Sequence, residues 1–103
     1  MIVVVTADAS IQLDDPDTFT ELAVDAVGLT REDVDAVAVS AGAGIVEADH
    51  FWIDIDFLRD LGRGTAVWNG AFDSMVDYAR SKGWTDTSGT RVRAHIRWNR
   101  VPA

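Results

Sequence analysis

Residues 91 to 98 alternate strictly between polar and apolar side chains. The apolar set is Val92, Ala94, Ile96 and Trp98, and the polar set is Arg91, Arg93, His95 and Arg97. Because successive side chains of a strand point to opposite faces, the two sets lie on opposite sides of one strand. Such a strand fits a sheet that is packed on one face and open on the other. The chain is therefore predicted to form a sheet with helices on one face only.

Hydrophobic periodicity and turn residues divide the rest of the chain into elements. In chain order we predict a strand at 2–6, a helix at 16–27, strands at 34–40 and 45–55, a short helix closed by Gly62, a long helix closed by Gly83, and the strand at 91–98. Asp54 or Asp56 is expected to cap the short helix. This order predicts an α+β fold, a ferredoxin-like βαββαβ sandwich with an antiparallel sheet.

Residues 31–41 have two interpretations. Thr30 followed by Asp33 has the spacing of a capping box, which favours a helix. The Val-Asp-Ala-Val-Ala-Val run that begins at Val34 is rich in β-branched residues, and this content favours a strand over 34–40.

Length and composition predict one domain over residues 1–103. Hydrophobic residues make up 48% of the chain, which is a globular composition, and no apolar run is long enough to cross a membrane. The first residues are too few and lack a basic leader, so they do not predict a signal peptide. Cysteine is absent, which excludes disulfides and thiolate chemistry. A cytoplasmic protein without membrane association is expected.

The charge of −8 is unevenly distributed along the chain. Residues 1–56 hold 13 acidic residues and one basic residue, whereas residues 57–103 hold four acidic and eight basic residues. Direct nucleic-acid binding is disfavoured because an acidic surface repels phosphate. The basic residues include a C-terminal strip of Arg91, Arg93, Arg97 and Arg100. Neutralisation of one half by the other, within or between subunits, explains the asymmetry most simply; the arginines binding an anionic ligand would also explain it.

Two strands place a polar cluster on the open face of the predicted sheet. Alternation in the strand at 45–55 puts His50, Trp52 and Asp54 on the side that carries His95, Arg93 and Arg97. His50 and His95 are candidate catalytic acid–base groups, because histidine titrates near neutral pH, and Asp54 is a candidate to orient a ring. Arg93 and Arg97 are candidate ligands for negative charge, and Trp52 is a candidate stacking wall.

No cofactor and no metal are predicted. His50 with Asp49, Asp54 and Asp56 offers nitrogen and oxygen ligands, but the spacing matches no zinc or calcium pattern. The open face has a simpler interpretation as the contact surface of a homodimer, in which these side chains pack across a twofold axis.

The stretch from Gly28 to Val37 resembles the helix-to-strand connection of thiolase-type condensing enzymes, and this resemblance implies a strand that starts at Val34. The predicted architecture resembles the dimeric α/β-barrel group, which includes small cofactor-free monooxygenases, isomerases and polyketide cyclases. That likeness assigns no residue a role.

Two functions follow as expectations. One is a cofactor-independent enzyme or ligand-binding protein that acts on an apolar carbonyl-bearing or anionic small molecule at the open face. The alternative is a non-catalytic acidic module that binds a basic protein partner or mimics nucleic acid.

Overall fold

A computed structural model describes residues 1–99 of the chain. The elements are β1 (Ile2–Val5), β2 (Ile11–Asp14), β3 (Ala23–Val27), α1 (Arg31–Ala41), β4 (Gly44–Glu47), β5 (His50–Asp54), α2 (Ile55–Asp60), α3 (Ala66–Ser81) and β6 (Arg91–Asn99). The predicted long helix and last strand are confirmed, whereas the predicted strand at 45–55 is the hairpin of β4 and β5 followed by the first residue of α2. No helix within residues 1–99 is long and apolar enough to span a bilayer.

The six strands form one mixed sheet in the order β2-β1-β3-β6-β5-β4. β3 is parallel to both of its neighbours, β1 and β6. The other pairs, β1 with β2, β4 with β5, and β5 with β6, are antiparallel. The protein is thus an α+β fold, but the predicted antiparallel sheet is wrong, and the ferredoxin-like βαββαβ order is not what the chain forms.

The helix predicted at 16–27 is wrong, because this segment is a turn followed by β3. Asp15 has a positive φ of 48°, and its carbonyl accepts the Thr18 N–H at 3.1 Å, which closes the turn. The indole of Trp68 donates to the Pro16 carbonyl at 2.8 Å and ties this turn to α3. Pairing on both sides then outweighs the helical spacing, because Val24 and Ala26 are fully buried in a central strand.

The strand predicted at 34–40 is also wrong, together with the strand start at Val34 that the thiolase resemblance implied. The segment is α1, and the helix begins at the capping box that the sequence contains. Thr30 Oγ1 accepts the Asp33 N–H at 3.2 Å, and Asp33 Oδ2 accepts the Thr30 N–H at 3.0 Å. Valine is a weak helix former, but burial of one α1 stripe, with Val34 fully buried, compensates for it.

The helices cover one face of the sheet and leave the other open. One cluster of buried residues joins α1, α2 and α3 to the inward face of the strands. The alternation of the last strand is confirmed, since Val92, Ala94 and Ile96 are buried while Arg93 and His95 are exposed. This arrangement places His50, Trp52, Arg93 and His95 on the same open surface.

Candidate functional site

The two histidines of the chain meet at the centre of the open face. His50 on β5 is directly opposite His95 on β6. Their ring centres are 5.8 Å apart, and the ring planes are inclined at 72°. Within residues 1–99, no hydrogen bond or ion pair engages either imidazole. The sequence prediction that the two strands bring both histidines together is confirmed, and both rings have free nitrogen atoms within the described chain.

Asp54 lies away from these histidines. Its Oδ1 accepts the Phe57 N–H at 3.1 Å, so it caps α2, as the sequence predicted for Asp54 or Asp56. In the sheet it is opposite Arg91, four positions along β5 from His50, which corresponds to about 13 Å. The structure therefore does not bring Asp54 within reach of either ring as an orienting group.

Arg97 is already bound to carboxylates. Its Nε donates to Asp25 Oδ1 at 2.6 Å, and its Nη1 is 3.8 Å from Glu21 Oε1. Both acids belong to the acidic half of the chain and Arg97 to the basic half. Arg63 and Asp17 form a second link of this kind, and their hydrogen bond lowers the pKa of Asp17. These pairs support neutralisation between the halves as the origin of the charge asymmetry. Arg100 of the predicted basic strip lies outside the described residues.

Arg93 and Trp52 are opposite each other on the open face. The Arg93 guanidinium is exposed, and among residues 1–99 it has no ion-pair partner. Trp52 is half-buried and borders a hollow of about 330 Å³ together with Ile45, Arg91 and the loop at 85–87. Of the two arginines predicted to hold negative charge, Arg93 is thus the one that remains available within the described chain.

A cleft that the sequence did not predict lies between α3, the start of β6 and the segment before β3. Its volume is about 350 Å³. Its apolar lining includes Phe19, Leu22, Met75, Val76, Tyr78 and Trp84. Arg93 of β6 also belongs to the lining of the cleft. An apolar concavity with a few polar groups is the usual form of a small-molecule site.

The cleft exists because β3 is shorter than β6. β3 begins at Ala23, opposite His95, so the first residues of β6 have no neighbour from β3. The chain at 84–85 takes that place instead, because the Trp84 carbonyl accepts the Arg93 N–H at 2.8 Å and Thr85 bridges Val92. The gap between this segment and the chain before Ala23 opens onto α3. The gap is not predicted by the sequence, because residues 16–27 have the hydrophobic spacing of a helix.

Two aromatic side chains form the accessible wall of the cleft. Tyr78 is 57% exposed and Trp84 is 40% exposed. Their rings meet edge to face with centres 5.9 Å apart, and the Lys82 ammonium lies 5.4 Å from the centre of the Tyr78 ring. Exposed aromatic rings are costly in water, so this wall is suited to contact with a ligand.

Asp86 fixes the loop that carries Trp84. Its Oδ1 accepts the N–H groups of Thr90 and Arg91 at 3.0 and 3.2 Å, and its Oδ2 accepts the Ser88 hydroxyl at 3.0 Å. Burial alone would raise the pKa of Asp86, but these hydrogen bonds lower it below the ordinary value of 3.8. The carboxylate is therefore the form that holds the loop.

We expect Asp86→Ala to release this loop. Amide hydrogen exchange at Thr90 and Arg91 should accelerate at least about tenfold, because each N–H loses its acceptor. In the unaltered protein the same bonds are complete above the ordinary carboxyl pKa and are lost as the pH falls through the lowered pKa of Asp86. The measurement is exchange by NMR, with Asp60→Ala, an exposed carboxylate at the end of α2, as control. Unchanged exchange in Asp86→Ala would contradict the assigned role.

Residues 1–99 contain no pre-assembled group of three or more potential metal ligands. Comparison with protein-family models, curated proteins and solved structures finds no match to the chain.

Proposed function

We propose that the protein binds a small, mainly apolar molecule that carries one anionic group, and that the binding site is the cleft between α3 and β6. The observation that carries this proposal is the combination of an apolar cleft with Arg93, an exposed residue that belongs to the lining of that cleft. The cleft supplies the free energy of burial, and Arg93 supplies orientation through a charge-assisted hydrogen bond.

The size of the cleft limits the ligand. At about 350 Å³ it lies at the lower end of the range for small-molecule sites. Glu21 also lines the cleft and would repel an anion, but it lies 3.8 Å from Arg97, which partly neutralises it. These dimensions and charges favour an aromatic or short aliphatic acid over a nucleotide or a long lipid.

Catalysis by the histidines stays a prediction. His95 is the next residue after Arg93 on the same face of β6, about 7 Å along the strand. A ligand anchored by Arg93 that extends onto the open face therefore reaches the His95 ring. The open face as a homodimer contact also stays a prediction, and native mass spectrometry tests whether a dimer forms.

The alternative function, an acidic module for a basic partner, draws less support from the structure. Asp17, Glu21 and Asp25 already face arginines of the basic half of the chain, which reduces the acidic field available to a partner. A complex of that kind would weaken steeply as the salt concentration rises.

Arg93→Gln tests the proposal with two probes of nearly the same shape. Anilinonaphthalene sulfonate is apolar and anionic, and N-phenylnaphthylamine lacks the sulfonate. We expect the variant to bind the sulfonate about tenfold more weakly, because it loses one charge-assisted hydrogen bond at a partly exposed site. The affinity for the neutral probe should not change. Fluorescence titration measures both.

Arg31→Gln is the matched control, because Arg31 is an exposed arginine on α1 and does not line the cleft. It should leave both affinities unchanged. Equal loss of sulfonate binding in both variants would show that the loss comes from the more negative net charge of the protein, and it would refute the role of Arg93. Absence of saturable binding of either probe to the unaltered protein would refute the cleft as a binding site.

A further inference from the structure

The row of side chains across β4, β5 and β6 presents metal-binding groups on one face. Glu47 on β4 is opposite His50, and His50 is opposite His95. Residues directly opposite in neighbouring strands project from the same face of a sheet, with strands about 4.8 Å apart. On the far side of His95 the row continues with Ala23, which is too small to cover the imidazole.

The distance between the two rings suits one shared metal ion. A metal that binds two imidazole nitrogens at about 2.1 Å holds the ring centres roughly 5 to 6 Å apart. The observed separation is 5.8 Å, so rotation about side-chain bonds is enough to direct a nitrogen of each ring at a common point. No intramolecular bond has to break, since neither ring is engaged within residues 1–99.

The surrounding charges also permit a cation. Arg93 and Arg97 flank His95 on its own strand, and both would repel a metal. Arg97 is bound to Asp25 at 2.6 Å, however, and Glu47 adds a carboxylate on the other side of His50. Arg93 is left as the one flanking guanidinium without a carboxylate partner in the described chain.

We propose that His50 and His95 together bind a divalent first-row transition metal, with Glu47 as the third protein ligand and water completing the coordination. Imidazole favours Cu²⁺, Ni²⁺ and Zn²⁺, and Cu²⁺ is bound most tightly of the three, whereas Mg²⁺ prefers oxygen ligands. The sequence brought His50 and His95 to one face but left out Glu47, because residues 45–55 were predicted as one strand, in which Glu47 and His50 alternate to opposite faces. The proposal does not depend on the cleft.

Titration with Cu²⁺ tests the site. We expect one Cu²⁺ per chain, an electron paramagnetic resonance spectrum that shows two coordinating nitrogens, and selective NMR broadening of both imidazole rings. His50→Ala and His95→Ala should each weaken binding at least tenfold, since loss of even an outer-shell partner costs about that much. Glu47→Gln should weaken it less, and Mg²⁺ should not compete.

Asp35→Asn is the matched control, because it removes an exposed carboxylate of α1, which packs on the face of the sheet opposite to the histidines. It should bind Cu²⁺ as the unaltered protein does. Binding that survives in both histidine variants, or that falls equally in Asp35→Asn, would overturn the proposal. The broadening experiment uses the unaltered protein, so broadening of only one ring, or of neither, would overturn it without any variant.

Discussion

Replacement of Gly44 by alanine is expected to destabilise the protein by about 3 kcal/mol or more, a large part of the stability of a small domain. Gly44 begins β4, has a φ of +142°, and lies opposite Ile53 of β5. A Cβ at this position would overlap the carbonyl oxygen of Trp52, which is backbone and cannot rotate away. The substitution therefore combines backbone strain with separation of β4 from β5. Urea unfolding followed by tryptophan fluorescence measures the loss.

Gly42→Ala is the control for strain without overlap. Gly42 ends α1 with a φ of +68°, and a Cβ there meets no atom within 4 Å. We expect this variant to lose only about 1 kcal/mol, the usual cost of left-handed backbone for a residue with a side chain. Equal stability of the two variants would contradict the close approach of β4 to the Trp52 backbone at Gly44.

Alternation along a single strand was enough to predict the faces of the sheet. Val92, Ala94 and Ile96 are buried because their spacing of two puts all three on the face that packs against the helices. The meeting of His50 and His95 followed from the same rule once β5 and β6 became neighbours. The hydrophobic period of a segment, and the face on which each side chain lies, are local properties that can be read from the sequence.

Whether a segment forms a strand depends on the neighbouring strands that pair with it, and the sequence alone does not identify those neighbours. Residues 23–27 have a spacing that suits a helix equally well, and they form a strand because β1 and β6 supply hydrogen bonds on both sides. In α1 the opposite occurred: valine content suggested a strand, but the reciprocal bonds of Thr30 and Asp33 started a helix. Tertiary pairing overrides propensity in the first case, and a local cap overrides it in the second.

The candidate site also depends on contacts between distant segments that the sequence does not reveal. The sequence placed Arg93 on the correct face but could not show that Arg97 is bound to Asp25 while Arg93 has no such partner in residues 1–99. The cleft depends on the difference in length between β3 and β6, which is a property of register. A sequence pattern does not encode where the pairing between two strands ends, so the cleft beside α3 was not predicted.

Thr20→Trp is expected to abolish binding in the cleft. Thr20 is exposed and lines the cleft, so an indole at this position has space to lie over the apolar wall formed by Tyr78 and Trp84. A probe that can no longer bury about 200 Å² of apolar surface loses roughly 5 kcal/mol, or several thousandfold in affinity. Both anilinonaphthalene sulfonate and N-phenylnaphthylamine should fail to bind, in contrast to Arg93→Gln, which discriminates between them.

Val67→Trp separates blocking of the cleft from the mere addition of an indole. Val67 is 87% exposed near the start of α3 and does not line the cleft. This variant should bind both probes as the unaltered protein does. Thr20→Trp should also unfold at a higher urea concentration than Val67→Trp, because its indole covers apolar surface that is otherwise exposed to water. Probe binding that persists in Thr20→Trp would place the ligand elsewhere on the molecule, and the open face around Trp52 would then be the site to test.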